Sequence, residues 1–255
     1  MSEGLPDVRR EGDVCVITFQ RPKKLNAIST AVERALLDAL AGLDVQEGSC
    51  VVFTGSERAF SAGADLLEER DDGPAGIDAY YRDTGDVYER IAALPQATFS
   101  AISDWCLGAG FELALATDFR IADETAVFGL PEVELGIVPS SGGTYRLVRA
   151  VGPTRAKELL LLKPRLEAAE AFRLGVITEV VPAGQALART LELAEQVAAL
   201  PPLAAAAAKQ AANAIAESGR EAAILLERLA YAALAQTDEA KAAGEAFGAR
   251  KPKAK

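Results

Sequence analysis

The sequence has no histidine among its 255 residues, and this absence excludes much of the usual catalytic repertoire. A serine or cysteine nucleophile activated by histidine, a histidine general base and a histidine-ligated metal site all need an imidazole. If the protein is an enzyme, its proton transfers must therefore use carboxylate, lysine, tyrosine or cysteine side chains.

Cysteine is scarce as well, because the chain has three cysteines, Cys15, Cys50 and Cys106, far apart and without a CxxC spacing. Such an odd and scattered set disfavours a disulfide framework or a zinc knuckle and is typical of a reducing compartment. The sequence also lacks a basic and apolar leader, and no apolar run reaches the roughly 18 residues of a membrane span. We therefore expect a cytoplasmic protein with no metal ion and no membrane partner.

Two phosphate-binding patterns are missing, because neither a GxGxxG after the first strand nor a GxxxxGK[ST] occurs. A nicotinamide or nucleoside triphosphate cofactor is therefore not expected. Acidic residues outnumber basic ones by 37 to 27, and the net charge of -10 repels nucleic acid on average, so we expect no nucleic-acid partner. The basic residues near the end of the chain are typical of a solvated terminus.

The first two thirds of the chain alternate short β-branched runs with amphipathic stretches, which indicates an α/β fold. A helix is predicted at Ala31–Leu43, capped by Ser29 or Thr30. A polar helix is predicted at Ile77–Leu94, after the breaker cluster Asp71–Gly76. The predicted strands are Asp13–Gln20, Ser49–Gly55, Thr98–Ser103, Asp118–Ala122 and Thr178–Val181.

The last part of the chain is Ala-rich and has no strand pattern. Ala-rich helices present a smooth, narrow face that packs closely against a core or another subunit. We predict an α/β core with the functional site in residues 1–195 and a helical region in residues 196–255. The predicted helices are Gly184–Leu200, Leu203–Ser218, Arg220–Gln236 and Asp238–Phe247.

Two glycine-bearing turns, Phe60–Leu66 and Leu107–Leu113, each follow a predicted strand and consist largely of small residues. Small residues leave backbone N–H groups accessible, and two such groups aimed at one point stabilise negative charge on a carbonyl oxygen. Taken singly, each turn is more often a simple strand-to-helix connection.

Two glutamates stand in apolar surroundings, Glu112 within Phe111–Ala116 and Glu132 within Phe128–Val133. A carboxylate in such a setting is costly unless it is used. Burial raises the pKa of a carboxyl group, so a buried glutamate is able to hold or exchange a proton near neutral pH. A solvated position at a helix end remains open for either glutamate.

Six sequence blocks follow one another in a distinctive order: RPKKLNA at 21–27, AFSAGADL at 59–66, LGAGFEL at 107–113, DFRIA at 118–122, FGLPE at 128–132, and LGIVP at 135–139 continuing into GGTYRL at 142–147. In order and spacing these blocks resemble the enoyl-CoA hydratase/isomerase (crotonase) superfamily over nearly the whole chain. The resemblance implies an α/β spiral of repeated ββα units with a helical C-terminal region that builds homotrimers, commonly paired into hexamers.

The same resemblance implies a set of site residues. The backbone N–H groups of Ala64 and Ala109 would form an oxyanion hole for a thioester carbonyl, although the family more often has glycine at the second position. Glu112 would accept a proton from water adding at C3, and Glu132 would supply a proton to C2. Further residues expected to contact the substrate or its CoA moiety are Lys23, Lys24, Leu25, Ala62, Gly63, Asp65, Leu66, Gly108, Ser140, Phe247 and Lys251.

The activity implied is hydration of a 2-enoyl-CoA to a 3-hydroxyacyl-CoA, with no separate cofactor because CoA is part of the substrate. An isomerase that moves the double bond between C3 and C2 through Glu132 alone is the alternative. A non-catalytic acyl-CoA-binding or RNA-binding protein is a third hypothesis, against which the two glutamates and the negative net charge argue. Two departures from the family pattern bear on the acyl pocket. Ser140 stands at a position where a small residue helps to place the water. Trp105 is expected in the core, with a place in the wall of the acyl pocket as the less favoured alternative.

Overall fold

A six-stranded sheet forms the centre of the computed structural model, which describes residues 4–43, 50–55, 58–68, 73–162 and 165–248. Its strands are β1 (Asp7–Glu11), β2 (Val14–Thr18), β3 (Cys50–Thr54), β5 (Ala97–Ile102), β7 (Phe119–Asp123) and β10 (Glu179–Val181). They lie in the order β1-β2-β3-β5-β7-β10, with β1 antiparallel to β2 and the following pairs parallel. The five predicted strands are confirmed, whereas β1 was missed because all its residues are exposed and give no apolar alternation.

A second, smaller sheet carries the strands β4 (Ala59–Ser61), β6 (Trp105–Leu107), β8 (Val127–Gly129) and β9 (Leu166–Glu167). Strands β4, β6 and β8 are parallel neighbours, and β9 pairs antiparallel with β8. The sequence analysis did not predict these strands, because two or three residues are too few to show a period and these segments lack the β-branched run that marks the equally short β10.

Three times the chain passes from the first sheet to the second and then into a helix. It does so through β3, β4 and α2 (Pro74–Asp83), through β5, β6 and α4 (Ala109–Ala116), and through β7, β8 and α5 (Gly143–Leu161). This repetition confirms the predicted spiral of ββα units. Helix α3 (Val87–Ala93) follows α2 along the chain, and α5 has a break in its helical backbone at Gly152.

The first helix, α1 (Thr30–Ala41), confirms the prediction and is capped by Ser29, whose Oγ accepts a hydrogen bond from the Val32 N–H. The single helix predicted at 77–94 is wrong, since α2 ends at Asp83 and α3 begins at Val87. The buried carboxylate of Glu33 on α1 accepts hydrogen bonds from one hydroxyl on each side of the break and one within it, and so links both helices to α1. These donors are Tyr80 Oη at 2.6 Å, Thr84 Oγ1 at 2.8 Å and Tyr88 Oη at 3.2 Å.

Both faces of the central sheet are buried. Val14 and Val16 of β2 pack on the face covered by α7 (Ala186–Ala198), whereas Cys15 and Ile17 pack on the face covered by the second sheet and helices α1, α3 and α4. This division follows from the period of two in a strand, and it explains why β2 and β3 are apolar without alternation.

The remaining described elements are helices, with α6 (Ala168–Arg173) between β9 and β10 and then α8 (Pro202–Ile215), α9 (Arg220–Leu234) and α10 (Asp238–Gly248) after α7. The four predicted C-terminal helices are confirmed, with ends that differ by a few residues. The predicted domain boundary at 195/196 falls inside α7, and the division into two regions stays a prediction. Across the described residues, no helix is long and apolar enough to cross a membrane.

Helix α8 is joined to the core through Lys209, whose side chain is 10% exposed. Its ammonium group lies 2.8 Å from Asp118 Oδ2 and donates a hydrogen bond to the Gln96 carbonyl oxygen at 2.8 Å. Asp118 in turn accepts hydrogen bonds from the N–H and hydroxyl groups of Thr98 at 2.7 and 2.9 Å. The ion pair therefore ties the C-terminal helices to the start of β5.

Replacing Lys209 with Met should lower the free energy of unfolding by about 1–3 kcal/mol, because the largely buried Asp118 carboxylate would lose its cationic partner. Urea unfolding followed by circular dichroism measures the change. Lys241→Met on α10 is the matched control, since the Lys241 side chain is 59% exposed and pairs with an exposed Asp238. Equal stability of the two variants would contradict the assignment.

Candidate active site

Ala64 lies in an extended segment that pairs with Ile28 through a single parallel bridge. The Ile28 N–H donates to the Gly63 carbonyl oxygen, and the Asp65 N–H donates to the Ile28 carbonyl oxygen, both at 2.8 Å. Because successive N–H groups of an extended chain point to opposite sides, the Ala64 N–H faces away from Ile28. The hydrogen bonds of the bridge to Ile28 therefore do not involve the Ala64 N–H.

The chain that supports Ala64 is held by polar contacts around Asn26, which is buried and has φ 55°. Asn26 Nδ2 donates to the Ala59 carbonyl oxygen at 2.7 Å, and its Oδ1 accepts from the Arg21 N–H at 2.9 Å. Asp65 Oδ2 lies 2.8 Å from Arg21 Nη2 and 2.9 Å from Lys24 Nζ. These two cations lower the pKa of Asp65 to about 2, so its charge persists across the physiological range.

The second turn places Ala109 at the first position of α4, directly after Gly108, which has φ 49° and ψ -129°. The first N–H groups of a helix have no partner within the helix, so the Ala109 N–H is available. A methyl group built on Gly63 would lie 3.1 Å from the Leu107 carbonyl oxygen and 3.6 Å from the Ala109 nitrogen. The two glycine-bearing turns therefore come together in space.

Glu112 lies one turn into α4, where it is 3% exposed. Its Oε1 accepts hydrogen bonds from the N–H groups of Ser141 at 2.8 Å and Gly143 at 3.0 Å. Burial raises the pKa of Glu112, whereas the two N–H donors and the charge of Arg146 act in the opposite direction. Since Gly143 is the first residue of α5, the carboxylate caps that helix and lies at the positive end of its dipole.

Glu132 lies in the 3₁₀ turn Pro131–Leu135 that follows β8. Its Oε2 is buried and has no hydrogen-bond partner among the described residues. A methyl group built on Gly108 would lie 3.2 Å from Glu132 Oε1, so this carboxyl group adjoins the second turn. Burial, and to a lesser degree the charge of Glu112, raise the pKa of Glu132 to about 7.

A common geometric origin explains why these groups meet. Strands β4, β6 and β8 are parallel neighbours, and Ala64, Ala109 and Glu132 each follow the last residue of one of them by two or three positions. Carboxyl ends of neighbouring parallel strands open onto the same edge of a sheet, which is where ligands bind in such folds. The edge offers two backbone N–H donors and two carboxyl groups of raised pKa, a set suited to an anionic intermediate and proton transfer.

Several of the other predicted site residues are exposed. Lys23 is exposed, and Leu66 is 70% exposed beside the first turn. Ser140 is exposed, and its carbonyl oxygen accepts a hydrogen bond from Tyr81 Oη at 3.0 Å. Phe247 lies on α10, and Lys251 lies outside the described residues.

Trp105, expected in the core, is only partly buried on β6, with the Arg165 guanidinium 5.3 Å from its ring centroid. The expectation of a core position was wrong: Trp105 is the first residue of β6, an inner strand of the smaller sheet, and a charged side chain lies over its ring. Among the described residues, no group of three or more acidic or cysteine side chains is arranged to hold a metal ion.

The sequence profile of the family described as enoyl-CoA hydratase/isomerase matches residues 9–254. The chain belongs to this family. Its membership confirms the resemblance carried by the six sequence blocks, and the crotonase fold with a helical C-terminal region is confirmed by the solved structures of relatives. The chain is accordingly an enzyme of the hydratase class.

Individual relatives match over almost their full length. A protein of Rhizobium meliloti (strain 1021), named "Probable enoyl-CoA hydratase", is 38% identical over 96% of this chain and 95% of its own. The crystal structure of an enoyl-CoA hydratase from Bacillus anthracis has a TM-score of 0.90 at 33% identity and covers 95% of both chains. A structure from Thermobifida fusca YX in complex with CoA has a TM-score of 0.84 at 30% identity, covering 91% of this chain and 93% of that one.

Sequence reasoning missed several residues that support this hydratase-family site. Asn26 and Arg21 stand in the first block, and an asparagine after a positively charged run and before a helix cap is a usable signal, since asparagine tolerates positive φ. The amide donors Ser141 and Gly143 carry no signal of their own, because a backbone N–H is available in any residue except proline.

Gly143→Ala tests how closely Glu112 packs against Gly143, because the new methyl group would lie 2.6 Å from Glu112 Cγ and 2.8 Å from Oε1. We expect the variant to lose about 1–3 kcal/mol of unfolding free energy through overpacking. Thermal unfolding of the wild type, G143A, E112A and E112A/G143A forms a double-mutant cycle. Gly143→Ala should cost little in the E112A background, and a full cost there would show that the contact with Glu112 is not the cause.

Proposed function

We propose that this protein is an enoyl-CoA hydratase that adds water across the C2=C3 bond of a 2-enoyl-CoA to give a 3-hydroxyacyl-CoA. The observation that carries the proposal is the meeting of two carboxyl groups of raised pKa, Glu112 and Glu132, beside two backbone N–H groups at one sheet edge. Hydration needs a base for the attacking water, an acid for C2 and a stabiliser of enolate charge, and this set supplies all three.

The N–H groups of Ala64 and Ala109 would receive the thioester carbonyl oxygen. When water adds at C3, the π electrons of the C2=C3 bond move toward the carbonyl and leave an enolate whose negative charge concentrates on that oxygen. Each N–H donor is worth about 100–1000-fold in rate in comparable oxyanion holes. The bridge to Ile28 and the start of α4 fix both donors before substrate arrives, so the stabilisation requires no rearrangement.

Glu112 would accept the proton of the attacking water. Its carboxylate is fixed through Oε1 by the Ser141 and Gly143 N–H groups, which favour the ionised form that a base requires. Burial opposes that effect and raises the pKa, so the carboxylate is a stronger base than an exposed glutamate.

Glu132 would supply the proton to C2. A pKa of about 7 keeps roughly half of this carboxyl group protonated at neutral pH, whereas an ordinary glutamate with a pKa near 4.3 is almost fully ionised. The proton that Glu112 gains and the one that Glu132 loses balance in each turnover, and exchange with solvent restores both groups.

The CoA moiety would lie along Lys23, Lys24 and Leu25 and the turn from Ala62 to Leu66, with Gly108 and Ser140 near the reacting atoms. Family membership and the CoA-complexed relative support this placement. Lys24 is already paired with Asp65, so Lys23 is the freer candidate for a phosphate contact. We also propose that no cofactor beyond the substrate's own CoA is needed and that the enzyme acts in the cytoplasm.

We further propose that the enzyme is a homotrimer or a dimer of trimers. Helices α8 and α9 contain no buried residue, and they expose large apolar side chains: Leu203, Leu225, Leu229 and Tyr231. A second subunit would cover these side chains. In such an assembly Phe247 and Lys251 of one subunit would reach the CoA bound to its neighbour.

Isomerisation between C3 and C2 double bonds through Glu132 alone is the competing function. It would leave the buried Glu112 without a chemical task, although burying a carboxylate costs stability. Running the reaction in water enriched in ¹⁸O separates the two, because hydration places the label in the product and isomerisation does not.

Glu112→Gln and Glu132→Gln should each lower kcat for hydration of crotonyl-CoA or a longer 2-enoyl-CoA by about 100-fold or more, since each removes a proton-transfer group. Loss of the conjugated enoyl absorbance measures the rate, and calorimetric titration with CoA should show nearly unchanged binding. Undiminished hydration in both variants would overturn the proposal.

The rate of hydration should fall as pH rises through about 7, because Glu132 then loses the proton that it donates. On the acid side the rate should fall at a pH above the ordinary glutamate range, since burial raises the pKa of Glu112 and only its ionised form accepts a proton. The falls in rate at low and at high pH, called the acid limb and the basic limb below, both belong to the coupled pair of glutamates. Initial rates at constant ionic strength measure them. With no imidazole to titrate in this range, a profile that stays flat between about pH 5 and 8 would contradict these roles.

A further inference from the structure

The turn that holds Glu112 is fixed by side chains on its other side. The peptide group between Ser140 and Ser141 donates its N–H to Glu112 Oε1 at 2.8 Å and accepts the Tyr81 hydroxyl on its carbonyl oxygen at 3.0 Å. The next carbonyl oxygen, that of Ser141, accepts a hydrogen bond from Arg146 Nη1 at 2.9 Å. Arg146 therefore contacts the peptide group between Ser141 and Gly142, which is the next one along the chain after the peptide group that donates to Glu112.

Arg146 is itself firmly placed on α5. Its side chain is 10% exposed, and its Nη2 lies 2.7 Å from Oε1 of Glu89 on α3. Gly142, with φ 87°, lets the guanidinium approach, because a methyl group built there would lie 2.1 Å from Arg146 Nη1. The fork of the guanidinium thus joins α3 to the turn in a geometry that a lysine cannot reproduce.

We propose that Arg146 is a positioning residue: its guanidinium holds the Ser141 carbonyl so that the turn keeps its N–H donors on Glu112, and its charge keeps the Glu112 carboxylate ionised for proton acceptance. The role rests on the function proposed above for Glu112. Arg146 acts through the turn and through its charge, whereas Glu112 is the group that would meet the water.

The other ionisable groups around Glu112 do not supply this charge. From α3, Tyr88 faces it with a hydroxyl bonded to Glu33 of α1, and the pKa of Tyr88 is raised by burial and by these carboxylates. From the 3₁₀ turn, Glu132 adds a like charge when ionised. Among the described residues that act on the Glu112 carboxylate, Arg146 provides the opposite charge.

Arg146→Met, Arg146→Lys and Arg149→Met test the proposal by kcat, KM and pH profile. Arg149 is the matched control, because it lies on the same helix with its guanidinium 5.4 Å from the Tyr145 ring centroid and has no contact with the turn among the described residues. In R146M we expect kcat to fall roughly 10–100-fold with KM changed less than about threefold, since a shifted catalytic group affects turnover more than binding. The acid limb of the profile should move to higher pH, and R149M should match the wild type.

Arg146→Lys separates the effect of the positive charge from the effect of the guanidinium geometry. It should return the acid limb to the wild-type position while recovering only part of kcat, and it supplies the test should R146M fail to fold. An acid limb that stays in place in R146M overturns the proposal, as does a rise in KM at unchanged kcat. An acid limb in R146K that moves as far as in R146M overturns it too.

A readout that needs no hydration activity separates this proposal from the proposed function. The difference in Tm between the wild type and E112Q changes around the pH at which Glu112 ionises in the folded protein. The same comparison in the R146M background should place that pH higher. If the wild type hydrates no 2-enoyl-CoA, the proposed function fails. The role of Arg146 is overturned separately, if the pH at which Glu112 ionises is the same in the R146M background as with Arg146 present.

Discussion

The burial of one carboxylate, Glu112, is the constraint on which the site depends. Helix α4 is buried along nearly its whole length, so this side chain has almost no access to water. The cost of desolvation is offset where the N-terminus of α5 presents two N–H groups to Oε1. The absence of a side chain at Gly143 leaves room for that contact, and Gly142 leaves room for Arg146, which donates a hydrogen bond to the Ser141 carbonyl oxygen of the same turn.

The repeated ββα unit turns a folding pattern into a chemical arrangement. Each unit delivers its second, very short strand to the smaller sheet, so three connections leave the same sheet edge side by side. One connection carries Ala64, the next Ala109 and Glu112, and the third Glu132. The first sheet, apolar on both faces, supplies the rigid core against which these connections are held, and rigid support is what preorganised N–H donors require.

Environment also differentiates two chemically identical side chains. Glu112 has two N–H donors and a nearby guanidinium, which favour its ionised form, whereas Glu132 has a buried oxygen without a partner and a like charge beside it. A pair of glutamates is thereby separated into a base and an acid without histidine. The tuning costs stability at neutral pH, since Glu132 ionises more readily in the unfolded chain than in the folded one.

The sequence by itself determined the α/β class, five strands of the central sheet, the C-terminal helices and the isolation of Glu112 and Glu132 among apolar residues, because local composition and periodicity show these features. Only the tertiary structure decided the smaller sheet, the split between α2 and α3 and the contacts of Asn26, Ser141, Gly143 and Arg146. Strands β4, β6, β8 and β9, of two or three residues, lack the β-branched run that marks β10, and backbone N–H groups have no residue type. The hydrogen bonds of Glu33 with Tyr80, Thr84 and Tyr88 join residues far apart in the sequence, so only folding brings them together.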